Sequence, residues 1–533
     1  MKLSGLIGPA VAAYATAAQG QEQIVFAPSE DAVAPLSVAI VGAGSGGAST
    51  AYHLSKFAAA SGFLVNITVF ERNDYIGGRS TTVSAYNDSM YPVELGASIF
   101  VKANHILESA VSAGCISITF HTPRKPENML GRPVSASFNL STGSVVSGTS
   151  DIPGASLGVF DGTSFAFIQE SGSLTWWESA KALWKWGLGP IRTNALRKVT
   201  VGLDEGELRS ERTYPLFKAF TTHISSYRSC VSLRYINGLL AMVCMSTDGA
   251  KAVENGNWQI FNEMIKAANA TTRLNTDVSA ISQREDGTYL LQHGPSAGSP
   301  HPIDHGGDSF NVVVLAAPLQ FANITLDRQI KHVPEAIPYV KLHVTLLTSP
   351  HLLSPAFFNM PPGKPAPKVI LTTLPADEEP QEGAAGVGTP GFFSVSLLSP
   401  VTNPRTGGQE YLYKIFSPEP PNSTFLTHLL GLKQPHHHTE TGISKEDISW
   451  IYRKVWNSYP YEVPRVTFEE IQLDDNLFYT SGMDAFISTM ETNALMGMNV
   501  ARLIADQWQA RVANGTARDG MRTPALLPSE GVM

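Results

Sequence analysis

Three glycines and one carboxylate carry the first chemistry legible in this chain. Gly42, Gly44 and Gly47 stand in VAIVGAGSGGASTAYHL, directly after the apolar run Val38 to Val41, with the spacing G-x-G-x-x-G. Gly42 permits a tight turn, Gly44 lets the main chain approach a pyrophosphate, and Gly47 brings a helix close against a strand. The helix starting there offers free N–H groups and a partial positive charge to phosphates. A second strand follows in FLVNITVFERN and ends in Glu71. A carboxylate at that place, roughly 20 residues on, can accept both hydroxyl hydrogen bonds of a ribose. The pattern predicts a dinucleotide-binding strand–helix–strand unit.

The next residues choose between dinucleotides. Gly77, Gly78 and Arg79 in ERNDYIGGRSTT continue straight from Glu71. This stretch resembles the second signature of the flavin-containing amine-oxidase-like superfamily, which implies that the glycine pair and the arginine lie along the diphosphate of FAD. VELGASIF, from Val93 to Phe100, resembles the flavin-contacting loop of the same superfamily. The cofactor implied is FAD rather than NAD. Further resemblance implies that Val278 lies near the adenine. It also implies that the last helix, opening in FISTMETNALMGMNVARLIA, points its N-terminus at the pyrimidine end of the flavin. Met490 and Glu491 are expected at that contact, where the helix dipole would stabilise the reduced ring. No Cys or His lies in FISTMETNALMG, so nothing there suggests a covalent link.

Holding these residues together requires elements from distant parts of the chain. RLNTDVSAISQREDGTYLLQ reads as a strand and hairpin leading to FNVVVLAAPL, a continuous apolar strand ending at Pro318. Leu495, Met498, Ala501 and Ile504 give the last segment helical spacing. YVKLHVTLLTS (Tyr339 to Ser349) and EYLYKIFS read as strands, joined by Pro- and Gly-rich surface connections. The fold class expected is α/β. A discontinuous Rossmann-type FAD-binding domain spans 36–110, 250–320 and 467–510. A mixed α+β substrate-binding domain takes 111–249 and 321–466, with a signal peptide over 1–18 and a C-terminal tail over 511–533. Two domains suit 533 residues, more than one core normally fills.

The substrate is suggested by a wider resemblance. GVFDGTSFAF, ENGNWQIFNEM, PYVKLHVTLLTSP, YLYKIFS, WNSYPYEVP and FISTMETNALMGMNVA resemble the prenylcysteine oxidase (prenylcysteine lyase) family, from about Val38 to about Ile504. The resemblance implies oxidation of the thioether of farnesyl- or geranylgeranylcysteine by FAD. A hydride leaves the carbon beside sulfur, water adds to the resulting cation, and an isoprenoid aldehyde and cysteine are released. Dioxygen then takes the electrons and becomes hydrogen peroxide. Sulfur and the allylic double bond both stabilise the cation, so a dry apolar channel, positioning and a controlled water matter more than a strong base. No catalytic residue is assigned. Lys341 and His343 are candidates to hold the water, and Trp176, Trp177, Trp184 and Trp186 suit a core or the wall of a channel. Two departures from the family pattern are Asn255, where a second glycine is usual, and the apolar Ile99 and Phe100 after GAS, where a histidine is often found. They keep open a related oxidase acting on another thioether or metabolite; a secreted isoprenoid carrier without catalysis stands last, because the intact Gly42/Gly44/Gly47, Glu71 and Gly77–Arg79 set argues against it.

Bulk properties narrow the setting. Charged residues are 16% and hydrophobic residues 43%, as in a folded, well-buried protein. A net charge of −8 and the lack of a long basic run exclude a nucleic-acid partner on electrostatic grounds. MKLSGLIGPAVAAYATAAQG reads as a secretory signal cleaved near Ala17 or Ala18. Asn-x-Ser/Thr sites at Asn87, Asn139, Asn269, Asn323, Asn422 and Asn514 suit a glycoprotein, and Asn66 carries the same motif in a strand expected to be buried. The resulting expectation is a protein of the secretory pathway, lysosomal, vacuolar or secreted. No later segment has the length and apolarity of a membrane span. Cys115, Cys230 and Cys244 form no disulfide scaffold, though one bridge is compatible with them. His436 to His438 read as a solvated loop rather than a metal site. The partners implied are an isoprenoid thioether and O2.

Overall fold

The apolar run Leu36–Val41 forms strand β1, and the glycines after it turn the chain into helix α1, Ser45–Ser61. Helix α1 ends at Gly62 in the left-handed conformation (φ 74°), and the N–H groups of Gly62 and Phe63 return to the carbonyls of Ala59 and Ala58. Such a turn satisfies the last carbonyls of a helix, and glycine adopts it without a Cβ clash. Strand β2, Val65–Phe70, then runs parallel to β1. The computed structural model describes residues 34–112, 136–139, 144–147, 152–155, 157–170, 251–253, 255–297, 299, 305–327, 329–375, 378–379, 381, 383–432 and 442–513.

Strands β1 and β2 lie inside a six-stranded sheet. Its order is β20 (Gln472–Asp474), β21 (Leu477–Tyr479), β13 (Val312–Leu315), β1, β2 and β9 (Thr271–Arg273), all parallel except β20. One face is covered by α1 with α2 (His105–Ser112), α3 (Trp258–Ala267) and α6 (Met490–Ala513), around Leu54, Phe261, Val314 and Ala501. Burying the Leu, Phe and Val side chains among these contributes about 1.5–3 kcal/mol each. Helices α1 and α6 touch through their backbones, because a Cβ on Gly497 would lie 2.2 Å from the carbonyl oxygen of Gly46. The other face packs on a four-stranded sheet of β12 (Gly306–Phe310), β11 (Tyr289–Pro295), β10 (Thr276–Gln283) and β14 (Thr325–Leu326). A short helix, α4 (Leu319–Ala322), precedes β14.

A seven-stranded mixed sheet forms the remaining bulk, in the order β19 (Trp450–Pro460), β15 (Tyr339–Ser349), β18 (Gln409–Ser417), β17 (Ser394–Thr402), β16 (Val369–Thr372), β7 (Leu157–Phe160) and β8 (Phe165–Gln169). Alternation sorts its side chains. Val340, Leu342, Val344 and Leu346 of β15 face a core shared with the hairpin of β3 (Thr82–Ser84) and β4 (Pro92–Glu94). Leu347 and Tyr413 face the opposite core, under helix α5 (Ser423–Leu430). A small hairpin joins β5 (Ala136–Asn139) and β6 (Ser144–Ser147).

The α/β class, the Rossmann-type sheet and the mixed second sheet match the sequence expectation. Three details differ. The apolar strand expected to reach Pro318 ends at Leu315 and is separated from β12 by Asn311, whose side chain accepts the Ser37 N–H (2.9 Å) where the chain passes between sheets. Strand β14 pairs with β10, so residues 325–326 extend the four-stranded sheet beyond the expected limit at 320. Asn66 is exposed rather than buried, because it stands at the open start of β2, before that strand enters the core.

Candidate active site

Two glycine loops meet at the head of α1. Gly42 has φ 112°, and its N–H donates to the Phe70 carbonyl (2.8 Å). A Cβ on Gly47 would lie 1.9 Å from the Gly42 oxygen, whereas one on Gly44 would meet nothing within 4 Å. The backbone is therefore closed toward the strand and open at Gly44. No side chain caps α1, and its first turn carries no acidic residue. An uncapped helix start with an open glycine suits the diphosphate of a dinucleotide. The second loop packs beside it. The Gly77 N–H donates to the Ala43 carbonyl (3.0 Å), and a Cβ on Gly78 (φ 60°) would come within 3.4 Å of the Gly44 Cα. Glu71 is buried just past β2. Its Oε2 accepts the Ala43 N–H (2.9 Å), and its Oε1 accepts the Asn73 main-chain N–H (2.9 Å) and Nδ2 (2.6 Å). The carboxylate expected at a ribose thus also braces the first loop.

Arg79 reaches away from these loops. Its guanidinium donates to the Ser458 carbonyl (2.8 Å) and the Ser488 Oγ (3.0 Å), and lies 3.6 Å from the Asp484 Oδ2. Its guanidinium therefore ties the end of β19 to the segment before α6. Asp484 is buried, and it accepts hydrogen bonds from the Tyr339 hydroxyl (3.0 Å), the Ser488 hydroxyl (2.9 Å) and the Asn493 Nδ2 (3.2 Å). Beside it, Glu462 accepts the Ser488 N–H (2.6 Å). Burial, with Asp484 adding to it, pushes the Glu462 carboxyl up to about 8. Burial likewise pushes the hydroxyl of Tyr479 up to about 12. Sequence reasoning missed this carboxylate pair, although WNSYPYEVP contains Glu462 and the approach to the last helix contains Asp484.

The loop from Leu95 to Ser98 closes the same region. The Leu95 N–H donates to the Thr81 carbonyl (2.9 Å), the Ala97 N–H to the Arg79 carbonyl (3.2 Å), and the Ser98 hydroxyl to the Gly96 carbonyl (2.6 Å). A Cβ on Gly96 would stand 2.3 Å from the Arg79 oxygen and 3.1 Å from the Trp456 ring. Phe100 is buried in the core under the helices, so its apolar character serves packing. Asn255 has φ 65°, the left-handed region where asparagine is the best tolerated substitute for glycine. Asn255 and Phe100 thus have local structural reasons.

The remaining expected contacts separate. Val278 is buried on β10 with its side chain in the core between the first two sheets, at a register shift against β11. Met490 packs against the helical core. The Glu491 carboxylate accepts the N–H groups of Ile106 (2.7 Å) and Leu107 (3.1 Å), so it caps α2. Helix α6 has its own reciprocal cap: the Thr489 Oγ1 accepts the Thr492 N–H (3.1 Å) and the Thr492 Oγ1 accepts the Thr489 N–H (2.9 Å). Lys341 is exposed and His343 half-buried, on the face of β15 opposite Val340 and Leu342. Burial moves His343 toward its neutral form, opposed by Glu419. Trp176, Trp177, Trp184, Trp186, the three cysteines, His436 to His438 and the expected signal lie outside the described residues.

A glycine-loop strand–helix–strand unit, a buried carboxylate at its second strand and a second glycine loop packed on the first define a Rossmann-type dinucleotide-binding protein. The family model described as NAD(P)-binding Rossmann-like domain matches residues 40–110, and that described as prenylcysteine lyase matches residues 230–515. The chain belongs to the prenylcysteine lyase family, and with it to the enzymes of oxidoreductase class that the sequence led us to expect. It is 26% identical over 497 residues to farnesylcysteine lyase of Arabidopsis thaliana, covering 90% of this chain and 89% of that one. It is 25% identical over 543 residues to prenylcysteine oxidase 1 of Rattus norvegicus, covering 91% of each. A solved structure of a putrescine oxidase triple mutant superposes with a TM-score of 0.47 at 13% identity, covering 89% of this chain and all of that one.

Proposed function

We propose that this chain is an FAD-dependent thioether oxidase that cleaves farnesyl- or geranylgeranylcysteine. One thioether, one water and one dioxygen give one isoprenoid aldehyde, one cysteine and one hydrogen peroxide. The observation that carries the cofactor assignment is the seating of the second glycine loop on the first, Gly78 against Gly44, beside the buried Glu71. The substrate assignment is supported by family membership across more than half of the chain. Bound FAD would supply a two-electron hydride acceptor that dioxygen can reoxidise. The residues to hold it are Gly42, Gly44 and Gly47 with the start of α1, Glu71, Gly78, and the main chain near Val278, Met490 and Glu491.

The chain's own part is positioning and exclusion of water. The seven-stranded sheet and the Leu95–Ser98 loop supply fixed walls, which matters because near-attack geometry accounts for much of such a rate. Lys341 and His343 are the candidates to hold the attacking water. The setting we propose is the secretory pathway, lysosomal, vacuolar or secreted, and the sequon residues Asn66, Asn87, Asn269, Asn323 and Asn422 are exposed. The test is product analysis in air with farnesylcysteine. The reading expects aldehyde, free cysteine and peroxide in equal amounts; recovery of intact thioether from a flavin-loaded preparation overturns it in favour of another substrate.

A further inference from the structure

A lysine is buried where the seven-stranded sheet meets the cofactor side. Lys414 lies mid-way along β18, opposite Leu346 of β15 and Ser396 of β17, and is only 1% exposed. Apart from Ser396, its neighbours on that face are apolar, among them Leu342, Val344, Leu412 and Phe416, with the ammonium 4.8 Å from the Phe416 ring centroid. The Nζ donates to the main-chain carbonyl of Glu94, the last residue of β4 (2.8 Å). The Glu94 side chain continues the connection. Its Oε1 accepts the Asn257 N–H (2.7 Å), and its Oε2 is enclosed without a hydrogen-bond partner among the described residues. Asn257 in turn donates its Nδ2 to the Ala97 carbonyl (3.2 Å) and accepts the Val253 N–H at Oδ1 (2.9 Å).

We propose that Lys414 is a positioning residue. Through the Glu94 carbonyl, and with Asn257 at the other end, it fixes the Leu95–Ser98 loop against the seven-stranded sheet and so sets the wall at which flavin and thioether meet. The inference rests on the cofactor reading above, which places that loop at the flavin. Stability alone does not account for the arrangement, because taking a lysine ammonium out of water costs more than one hydrogen bond to a carbonyl returns. The loop is closely packed elsewhere as well: Gly96 is wedged between the Arg79 carbonyl and the Trp456 ring, and the Leu95 and Ala97 N–H groups are bonded. Burial holds the Glu94 carboxyl up at about 7 and the Lys414 ammonium down at about 8; Lys414 and the Asn257 N–H face Glu94, and Glu94 faces Lys414.

The test compares wild type, K414M and the E94Q/K414M double variant as flavin-loaded enzyme with farnesylcysteine. Positioning predicts that both variants lose kcat by about tenfold with KM changed less than about twofold, and that the band shape of the bound flavin shifts. In the double variant the charge is balanced again, so melting recovers while kcat and spectrum do not. A double variant with wild-type kcat and flavin spectrum overturns the inference. Should the lysine variants not fold, N257A decides, because Asn257 holds the same loop at the Ala97 carbonyl. A lowered kcat with a shifted flavin band supports the inference, and wild-type kcat and band shape refute it. These spectral arms read out even if farnesylcysteine is not turned over, which would fail the substrate reading alone. A preparation that takes up no flavin removes the cofactor reading and this inference together.

Discussion

Glu71 has two duties, which makes it the most informative single side chain. Its carboxylate braces Ala43 and Asn73 and sits where a ribose is expected. Hydrogen bonds to a buried charged group are worth about 1.5–3 kcal/mol each. If the proposed cofactor is FAD, E71A lowers its affinity by at least about tenfold, or about 1.4 kcal/mol, measured by flavin released on gel filtration. Full flavin retention would place the ribose elsewhere. Glu462 gives a residue-scale prediction in pH. Its carboxyl is raised from 4.5 to about 8, so between those values the folded state holds a proton that the unfolded chain has lost. Its contribution to stability is then highest below the lower value and falls as pH rises through that window. E462Q keeps an acceptor for the Ser488 N–H but cannot ionise. Melting curves should show wild type and E462Q alike near pH 5 and E462Q the more stable near pH 9, within the sign of that linkage. Equal pH slopes would remove Glu462 as the cause.

At the scale of elements, the contrast between two helix starts matters most. Helix α1 begins without a side-chain cap, as an anion site requires, whereas α6 is closed by Thr489 and Thr492 and lends Glu491 to α2. E491A should cost about 1 kcal/mol, as helix caps do, and the loss should be seen in thermal melting rather than in flavin content. Loss of flavin without loss of stability would return Glu491 to the cofactor. What was legible in the sequence follows from locality. β1, α1 and β2 declare themselves through neighbouring glycines and short apolar runs, and β15 through its alternation. The contacts that were not legible join residues far apart: Glu491 to Ile106 across 385 positions, Arg79 to Ser488 across 409, and Lys414 to Glu94 across 320. No local pattern encodes such pairs, and nothing in YLYKIFS marks its lysine as buried until the sheet order places it.

At the scale of the whole molecule, the six-stranded sheet draws on residues 36–70, 271–273, 312–315 and 472–479, and the seven-stranded sheet on 157–169 and 339–460. Each sheet thus interrupts the other in sequence, and the two are connected at Arg79, Glu94 and Asp484. That connection is where a hydride acceptor and a thioether would have to meet. The most direct measurement is anaerobic mixing of the purified flavin-loaded protein with farnesylcysteine while following the visible absorbance of the flavin. The proposed function predicts bleaching, then recovery with release of hydrogen peroxide when air is admitted. A flavin that stays oxidised in the presence of the thioether would contradict it.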